Sequence, residues 1–303
     1  METNSILSSS WYYTIEIKKG VFTEGLKHRN LALTRKLLRN VIVQNRTCID
    51  IGTQEAVIPI LLKRAGAKRV VGYDRYDLSS KIQILYDAYQ VNFEYIAGIQ
   101  LPELPKKLDE SEGGRFFDLV VFSGVLYHMV NPLGLMALVR GLCNTGGLFI
   151  IETVAVQHPK EMLLFNARGK TYGPTSNYFV PTTSWLDYTL RMLGLLPLQA
   201  IYLGEINKEN PIRLAILCRS QNSPCPLDQN DDWALQSFHT YTFSTESQFA
   251  WERLEPSQGE LEYHVYDKSV LQLNNKSLYA QLYKHPRYIP SIDETILKLN
   301  SVM

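Results

Sequence analysis

Five short apolar segments, separated by segments with helical periodicity, constrain the fold of this chain more than any other feature. Each is rich in Val, Ile, Leu or Phe and has the length of a strand buried on both faces; they are residues 47–51, 68–73, 93–96, 117–122 and 147–153. Strands of this type that alternate with helices form parallel sheets with helices on both faces. The sequence therefore predicts an α/β core with five parallel strands.

The segments between these strands carry helix signals. Aliphatic and aromatic residues at positions i, i+3, i+4 and i+7 predict one face of a helix; they are Ile82, Leu85, Tyr86 and Tyr89. Pro132 suits the first turn of a second helix, which we expect to reach about Cys143. Residues 184–187 have the spacing of a capping box, which predicts a third helix that ends near Gly194.

Two more apolar segments complete the predicted sheet. Residues 198–204 and 212–218 are joined by the turn-rich residues 207–211, so they predict an antiparallel hairpin. Added to the five parallel strands, the hairpin gives a Rossmann-like, doubly wound, mostly parallel sheet of seven strands.

The strand and helix alternation also divides the chain into three regions. The alternation spans residues 46–219, which we interpret as the core. Residues 1–45 form an N-terminal helical segment ahead of it. Residues 220–303 begin with the linker-like stretch 220–232 and continue with a Tyr-, Trp- and His-rich sequence. We interpret this C-terminal extension as a cap or an oligomerisation segment, so a homo-oligomer is one prediction.

Composition narrows the partners and the compartment. The formal net charge is +1 and no block of five like charges occurs, so a nucleic-acid partner is not favoured, although it is not excluded. The four cysteines lack metal-binding spacing, which indicates reduced thiols, no metal site and a cytoplasmic protein. No apolar run approaches the roughly 20 residues that a bilayer span needs, so no membrane partner is expected.

The first two predicted strands end in residues suited to an adenosyl cofactor. Ligands of doubly wound sheets bind at the carboxyl ends of the strands, where Asp50 lies near the end of the first strand and Gly52 follows it. Asp74 ends the second strand, and a carboxylate there is suited to accept hydrogen bonds from both ribose hydroxyls. The alternatives are an ordinary strand-to-helix turn and Asp77 as the ribose ligand.

The fourth strand is followed by small residues and then by two polar rings. Ser123 and Gly124 leave space at the strand end, while Tyr127 and His128 bring a hydroxyl and an imidazole to where an acceptor substrate would dock. These two are the candidate catalytic residues, with His128 as a general base. The alternative is that His128 caps a helix or binds a backbone carbonyl.

The run from residue 117 to residue 153, FDLVVFSGVLYHMVNPLGLMALVRGLCNTGGLFIIET, resembles the family that contains the wobble-uridine tRNA carboxymethyltransferases and related natural-product methyltransferases. Its most specific string is GVLYH followed by xxxP. Similar stretches occur at residues 11–25, 50–53 and 176–182, so the resemblance extends from about Trp11 to Cys218.

The resemblance implies a class I methyltransferase fold with S-adenosylmethionine, or an analogue of it, as the methyl donor. The residues it assigns to the cofactor are Asp50, Gly52 and Thr53 at the methionine end, Asp74 with Arg75 beside it at the ribose, Gly98 and Ile99 at the adenine, and Ser123 and Gly124 on the other side. This chain departs from the family at residues 54–56, where the usual second glycine is replaced, and at Pro59, which interrupts the following helix.

Nicotinamide-dependent dehydrogenases share these strand ends, but the first turn argues against them. Their pyrophosphate requires a glycine-rich turn at a helix N-terminus, where Glu55 of this chain would repel it. S-adenosylmethionine has no phosphate and carries a sulfonium cation, so the same turn does not disfavour it.

Candidate substrate contacts come from the N-terminus and from the loop after the fifth strand. The resemblance implies that residues 11–13 fold over the cofactor as a lid, which brings Tyr12 and Tyr13 to the substrate; packing of a helix on the domain is the alternative. Arg29 is a candidate partner of the cofactor carboxylate, or a solvated surface charge. The later acceptor-pocket candidates are His158, Asn177 and Tyr178, alongside Glu152, Asn166 and Arg168.

Two acceptor classes compete. A tRNA-modifying enzyme should present a basic face, whereas Lys and Arg total 31 against 30 acidic residues, and basic residues for a carboxylated cofactor have no clear counterparts. We therefore favour a small-molecule acceptor in specialised metabolism, methylated at N, O or C, with the tRNA wobble uridine as the alternative. A non-catalytic adenosyl-binding protein is a third hypothesis, which Tyr127 and His128 disfavour.

Overall fold

The computed structural model describes residues 10–26, 28–206, 210–228 and 259–303. Parts of the predicted N-terminal segment, of the hairpin turn and of the linker therefore lie outside the described residues. The same holds for the aromatic-rich stretch of the extension that includes Trp233 and Trp251.

Five parallel strands form one side of the main sheet, in the order β5-β4-β3-β6-β7, with β5 at the edge. Ahead of them lies a small hairpin of β1 (Glu16–Lys18) and β2 (Val21–Phe22). The parallel strands are β3 (Thr47–Ile51), β4 (Arg69–Asp74), β5 (Glu94–Ala97), β6 (Phe117–Ser123) and β7 (Cys143–Ala155). They confirm the predicted Rossmann-like core.

The predicted hairpin extends this sheet beyond β7. A separate two-stranded sheet of β8 (Leu163–Phe165) and β9 (Phe179–Pro181) precedes it in the chain. In the hairpin, β10 (Leu195–Leu203) pairs antiparallel with β11 (Ile212–Ser220), which in turn pairs antiparallel with β7.

The main sheet has eight strands rather than the predicted seven. The additional strand, β12 (Leu271–Gln272), belongs to the C-terminal extension and pairs antiparallel with β10. A two-residue strand carries no alternating pattern of its own, so its sequence gave no signal. It covers part of the edge that β10 would otherwise expose.

Seven helices of at least five residues are described, and most of them pack on the main sheet. They are α1 (Arg29–Leu38), α2 (Val57–Arg64), α3 (Ser79–Tyr89), α4 (Leu104–Asp109), α5 (Pro132–Arg140), α6 (Thr183–Met192) and α7 (Leu278–Leu282). In α3 the predicted face is buried at Ile82, Leu85 and Tyr89. Helix α5 ends three residues before Cys143, which already belongs to β7.

The predicted capping box of α6 is wrong by two residues. The helix is capped by Thr182, whose Oγ1 accepts a hydrogen bond from the Trp185 amide. Ser184 instead donates to the carbonyl of His158. Asp187 is buried because it pairs with Arg191 at 2.8 Å and accepts a hydrogen bond from the Leu278 amide. Both polar side chains of the expected box are therefore used by tertiary contacts.

The C-terminal residues pack against the N-terminal ones. Ile15 forms a parallel bridge with Leu297, and the Arg35 guanidinium donates to the carbonyls of Glu294 and Ile296. Residues 259–303 thus hold helix α1 and the segment before it in place. Within the described part of the chain, no helix is long and apolar enough to cross a bilayer.

Candidate active site

A cavity of about 550 Å³ opens at the carboxyl ends of β3, β4 and β6, where the order of the parallel strands reverses and ligands of such sheets bind. Eleven of the sequence-predicted site residues line it: Tyr12, Tyr13, Gly52, Asp74, Arg75, Ser123, Gly124, Tyr127, His128, Glu152 and Tyr178. The structure therefore brings together residues from six separate stretches of the chain.

Nine predicted residues do not line this cavity. Asn166, which is buried, and Arg168, which is exposed, lie between β8 and β9. Asp50 and Thr53 are buried beneath the first turn. Gly98 and Ile99 lie just before the lining residues 100–102, and the Ile99 carbonyl accepts a hydrogen bond from Tyr73. The others are Arg29, exposed at the start of α1, His158, which accepts a hydrogen bond from the Lys160 amide, and Asn177, buried in its loop.

Gly52 lets the first turn pack closely against the loop after β6. Its φ is +79°, and a Cβ there would lie 2.3 Å from Cγ2 of Val125. The amides of Gly52 and Thr53 both donate to the carbonyl of Tyr73. Only a residue without a side chain fits this position.

Two other residues of this turn adopt the left-handed backbone conformation that usually requires glycine, although neither is a glycine. Gln54 and Ala56 have φ values of +49° and +53°, a region that side chains disfavour. The replacement of the family's second glycine therefore changes the residue type while the backbone stays left-handed at these positions.

The Asp74 carboxylate is held rigidly at the cavity wall. It is 4% exposed, and its two oxygens accept hydrogen bonds from the amides of Gln54 at 2.9 Å and Tyr76 at 3.0 Å. Each oxygen keeps a second lone pair for a ligand. The competing candidate Asp77 is exposed and accepts hydrogen bonds from Ser79 at the start of α3.

Replacing Asp50 by asparagine is expected to raise the melting temperature more at pH 7.5 than at pH 4.5, by about 5 °C at the higher pH. Burial raises the pKa of the Asp50 carboxyl to about 7, whereas an unfolded aspartate ionises near pH 3.9. Ionisation thus favours the unfolded chain, so the native protein loses stability as the pH rises from about 4 to 7. Asparagine does not ionise, so the variant does not lose stability in this way as the pH rises.

Thermal unfolding across this pH range measures the effect. Asp77→Asn is the contrasting variant, because hydrogen bonds from Ser79 lower the pKa of Asp77 and its replacement should destabilise the protein at neutral pH. A stabilisation by Asp50→Asn that is equal at every pH would contradict the expectation.

Glu55 anchors the N-terminal segment above the cavity. Its buried carboxylate accepts hydrogen bonds from the amides of Tyr12 at 2.8 Å and Tyr13 at 3.1 Å, and it pairs with Lys81 at 3.0 Å. The Lys81 ammonium also lies 5.1 Å from the Trp11 ring centroid. We call residues 10–26 the lid, since they reach the cavity through Tyr12 and Tyr13.

Replacing Glu55 by alanine is expected to cost about 2 kcal/mol of stability and to free the lid, because two amides and an ammonium lose their shared acceptor. Thermal unfolding and hydrogen exchange at the Tyr12 and Tyr13 amides measure both effects. Glu110→Ala is the control, since its pair with Lys107 is exposed on both sides. Unchanged exchange of the two amides in Glu55→Ala would show that the lid is held elsewhere.

A buried ion pair borders the cavity through Glu152. Glu152 on β7 accepts two hydrogen bonds from the Arg213 guanidinium on β11, one of them at 2.6 Å. Arg213 also donates to the Tyr172 hydroxyl at 2.9 Å and lies 5.0 Å from the Tyr127 ring centroid. Burial raises the pKa of Tyr127 to about 12, so its hydroxyl is protonated at neutral pH.

His128 stands at the cavity rim in a defined tautomer. Its Nδ1 lies 3.0 Å from the carbonyl oxygen of Ser176, and because a carbonyl can only accept, Nδ1 carries the proton. Nε2 therefore keeps its lone pair. Partial burial lowers the pKa of His128 below its usual value, which favours the neutral form that a general base requires.

Several cavity residues had no local sequence signal. Asn30 and Thr34 reach the cavity from α1, where the Thr34 hydroxyl lies 2.9 Å from that of Ser123. Arg213, which does not itself line the cavity, binds the lining residue Glu152 from a strand 61 residues farther along the chain. Only the fold brings these residues to the strand ends. Among the described residues, no group of three or more potential metal ligands occurs.

Comparisons with known proteins agree with this architecture. A family model described as a methyltransferase domain matches residues 25–186, which is more than half of the 303 residues. The tRNA U34 carboxymethyltransferase of Shewanella loihica is 28% identical over 165 residues, covering 52% of this chain and 46% of that protein. That of Pseudoalteromonas atlantica is 26% identical over 190 residues, covering 62% and 56%.

The chain thus spans about half the length of the curated relatives it matches. Among solved structures, the N-terminal domain of EvdMO1, determined in the presence of S-adenosylhomocysteine and D-fucose, has a TM-score of 0.53 at 15% identity and covers 73% of this chain and 98% of that one. At this identity the likeness shows a shared fold. Because the family model covers more than half of the chain, the protein belongs to the methyltransferase-domain family.

Proposed function

We propose that this enzyme methylates a small molecule, and that the cavity above β3, β4 and β6 holds both cofactor and acceptor. The observation that supports this most is the lining of the site: the fixed carboxylate of Asp74 shares the cavity with Tyr127, His128 and the buried Glu152, a group that we call the acceptor end. An acceptor that enters beneath the lid must be small enough for a cavity of about 550 Å³.

The residues present fit an adenosyl cofactor. Asp74 has free lone pairs for the two ribose hydroxyls, and the bare backbone of Gly52 allows close approach between β3 and β6. Ser123 and Gly124 line the adjoining wall. When bound, S-adenosylmethionine supplies an electrophilic methyl group on a sulfonium sulfur.

The chain's own groups then orient the acceptor and remove its proton. His128 accepts that proton at Nε2, while its Nδ1–H stays on the Ser176 carbonyl. The lid, held by Glu55, excludes water from the cavity. Orientation in a closed site supplies much of the rate of such a transfer.

Modification of a tRNA wobble uridine, the activity named for the relatives above, is the second candidate. A carboxylated donor would need a free basic side chain near the acceptor end. Arg213 is a cation in that region, and its guanidinium is occupied by Glu152 and Tyr172. We therefore place the small-molecule acceptor first, in specialised metabolism. A cytoplasmic location and a homo-oligomer stay predictions from the sequence.

Calorimetric titration with S-adenosylmethionine, S-adenosylhomocysteine, the carboxylated analogue and NAD tests the cofactor assignment. We expect micromolar binding of the first two, weakened at least tenfold by Asp74→Ala and unchanged by the matched Asp77→Ala. Stronger binding of the carboxylated analogue together with tight tRNA binding at physiological salt would favour the second candidate. Binding of NAD alone would overturn the proposal.

A further inference from the structure

The acceptor end of the cavity has polar groups that converge on one point. A Cβ on Gly124 would lie 3.5 Å from the Tyr127 hydroxyl, 3.9 Å from Oε2 of Glu152 and 4.0 Å from Nδ2 of Asn30. We call these three side chains the polar triad. They offer a carboxylate acceptor, an amide donor and a hydroxyl that does both, so they suit a ligand group that donates and accepts hydrogen bonds.

The charge of this end is balanced within the protein. Glu152 is fully buried and its carboxylate is bound in a bidentate manner by Arg213, which is 12% exposed. A ligand with a net charge would have to be desolvated without a free counter-charge from this pair. The pair therefore favours a neutral group beside it, and the other charged lining residues, Asp74 and Arg75, carry opposite charges.

Flat aromatic surfaces border the same space. Tyr12 of the lid stacks on His28 with ring centroids 4.0 Å apart and planes at 7°, and it lines the cavity while remaining 37% exposed. Tyr178 lines it from the opposite loop and is 39% exposed. Exposed ring faces beside a cavity bind planar rings by stacking.

We propose that the acceptor is a neutral, planar aromatic or heteroaromatic ring that carries a hydroxyl or N–H group, stacked against Tyr12 and hydrogen-bonded to the polar triad. This inference rests on the proposed function, because it assigns the second ligand of the same cavity. Tyr12 and Tyr127 are then specificity-determining residues: one selects the flat ring and the other selects the donor group.

Ligand-observed NMR on protein saturated with S-adenosylhomocysteine tests the inference. The probes are 2-naphthol and 4-hydroxyquinoline, each compared with its O-methylated form, its saturated-ring form and an aryl carboxylate of the same size. We expect the planar donors to bind about tenfold more tightly than their counterparts. Tyr127→Phe should remove the preference for hydroxyl over methoxy, and Tyr12→Leu should remove the preference for planar over saturated rings. Tyr266→Leu, at an exposed position outside the cavity, should change neither.

The outcomes separate the two proposals. If S-adenosylhomocysteine does not bind, the proposed function fails and the inference fails with it. If it binds while the planar donors do not, or while charged or saturated probes bind as tightly, the inference alone is overturned. Preferences that persist in both Tyr12→Leu and Tyr127→Phe would overturn it as well.

Discussion

Replacing His128 by asparagine is expected to lower kcat about 100-fold at neutral pH while leaving the fold and the affinity for S-adenosylhomocysteine unchanged. The asparagine amide can still donate to the Ser176 carbonyl, so the Nδ1 contact of the native ring is preserved. What is lost is the Nε2 lone pair, the group that we propose takes the acceptor's proton.

The pH profile gives this prediction a second readout. Partial burial lowers the pKa of His128, so the native enzyme should keep its full rate below pH 6.5, about where an ordinary histidine becomes protonated, and lose rate only as the pH falls through the lowered pKa. The variant should lose that acidic limb. His285→Asn is the matched control, because Nδ1 of His285 also contacts a backbone carbonyl at 3.0 Å, outside the cavity. A His128→Asn enzyme with unchanged kcat and pH profile would make His128 a structural residue.

Replacing Gly52 by alanine is expected to weaken S-adenosylhomocysteine binding at least 100-fold. The added Cβ would lie 2.3 Å from Val125 Cγ2, and a close-packed interior relieves such an overlap only by moving one of the two loops. Both loops line the cavity, so either movement changes the cofactor site. Calorimetry gives the affinity, and thermal unfolding shows whether the fold persists.

Gly114→Ala separates the overlap from backbone strain. Gly114 also has a positive φ, +64°, but nothing lies within 4 Å of its added Cβ. Its replacement should cost about 1 kcal/mol of stability through the left-handed backbone alone and leave binding intact. If Gly52→Ala behaves like Gly114→Ala, the packing of the first turn against Val125 does not shape the cofactor site.

Sequence patterns sufficed where local chemistry decides the structure. Strand β3 occupies the predicted residues 47–51, because an apolar run ending in Asp50 and Gly52 has few other conformations in a buried sheet. Strand β12 was missed because two residues form a strand only when an exposed edge such as that of β10 is available. Tertiary contacts also explain the wrong cap of α6: Ser184 donates to the carbonyl of His158, and Thr182 caps the helix instead.

The site also contains residues that the sequence pattern predicts and residues that only tertiary packing brings there. Gly52, Asp74 and Gly124 follow predicted strands, so the topology alone places them at one edge of the sheet. Asn30 and Arg213 depend on how α1 and β11 pack, which no spacing in the sequence encodes. From the sequence, Glu55 is only a residue that disfavours pyrophosphate binding. In the structure, its carboxylate also binds two amides of the lid.

The bridge between Ile15 and Leu297 constrains the order in which parts of the protein fold. Two neighbouring hydrogen bonds accompany it, from the Glu16 amide to the Leu297 carbonyl and from the Leu297 amide to the Thr14 carbonyl. Contacts between residues this far apart in the chain form slowly, because a long loop must close first. During synthesis, the sheet from β3 to β11 can assemble before residue 297 leaves the ribosome, whereas the contacts of residues 14–16 with Leu297 cannot form until then. The lid therefore gains its contacts in two stages: those of Tyr12 and Tyr13 with Glu55 can form together with the sheet, and those with Leu297 follow.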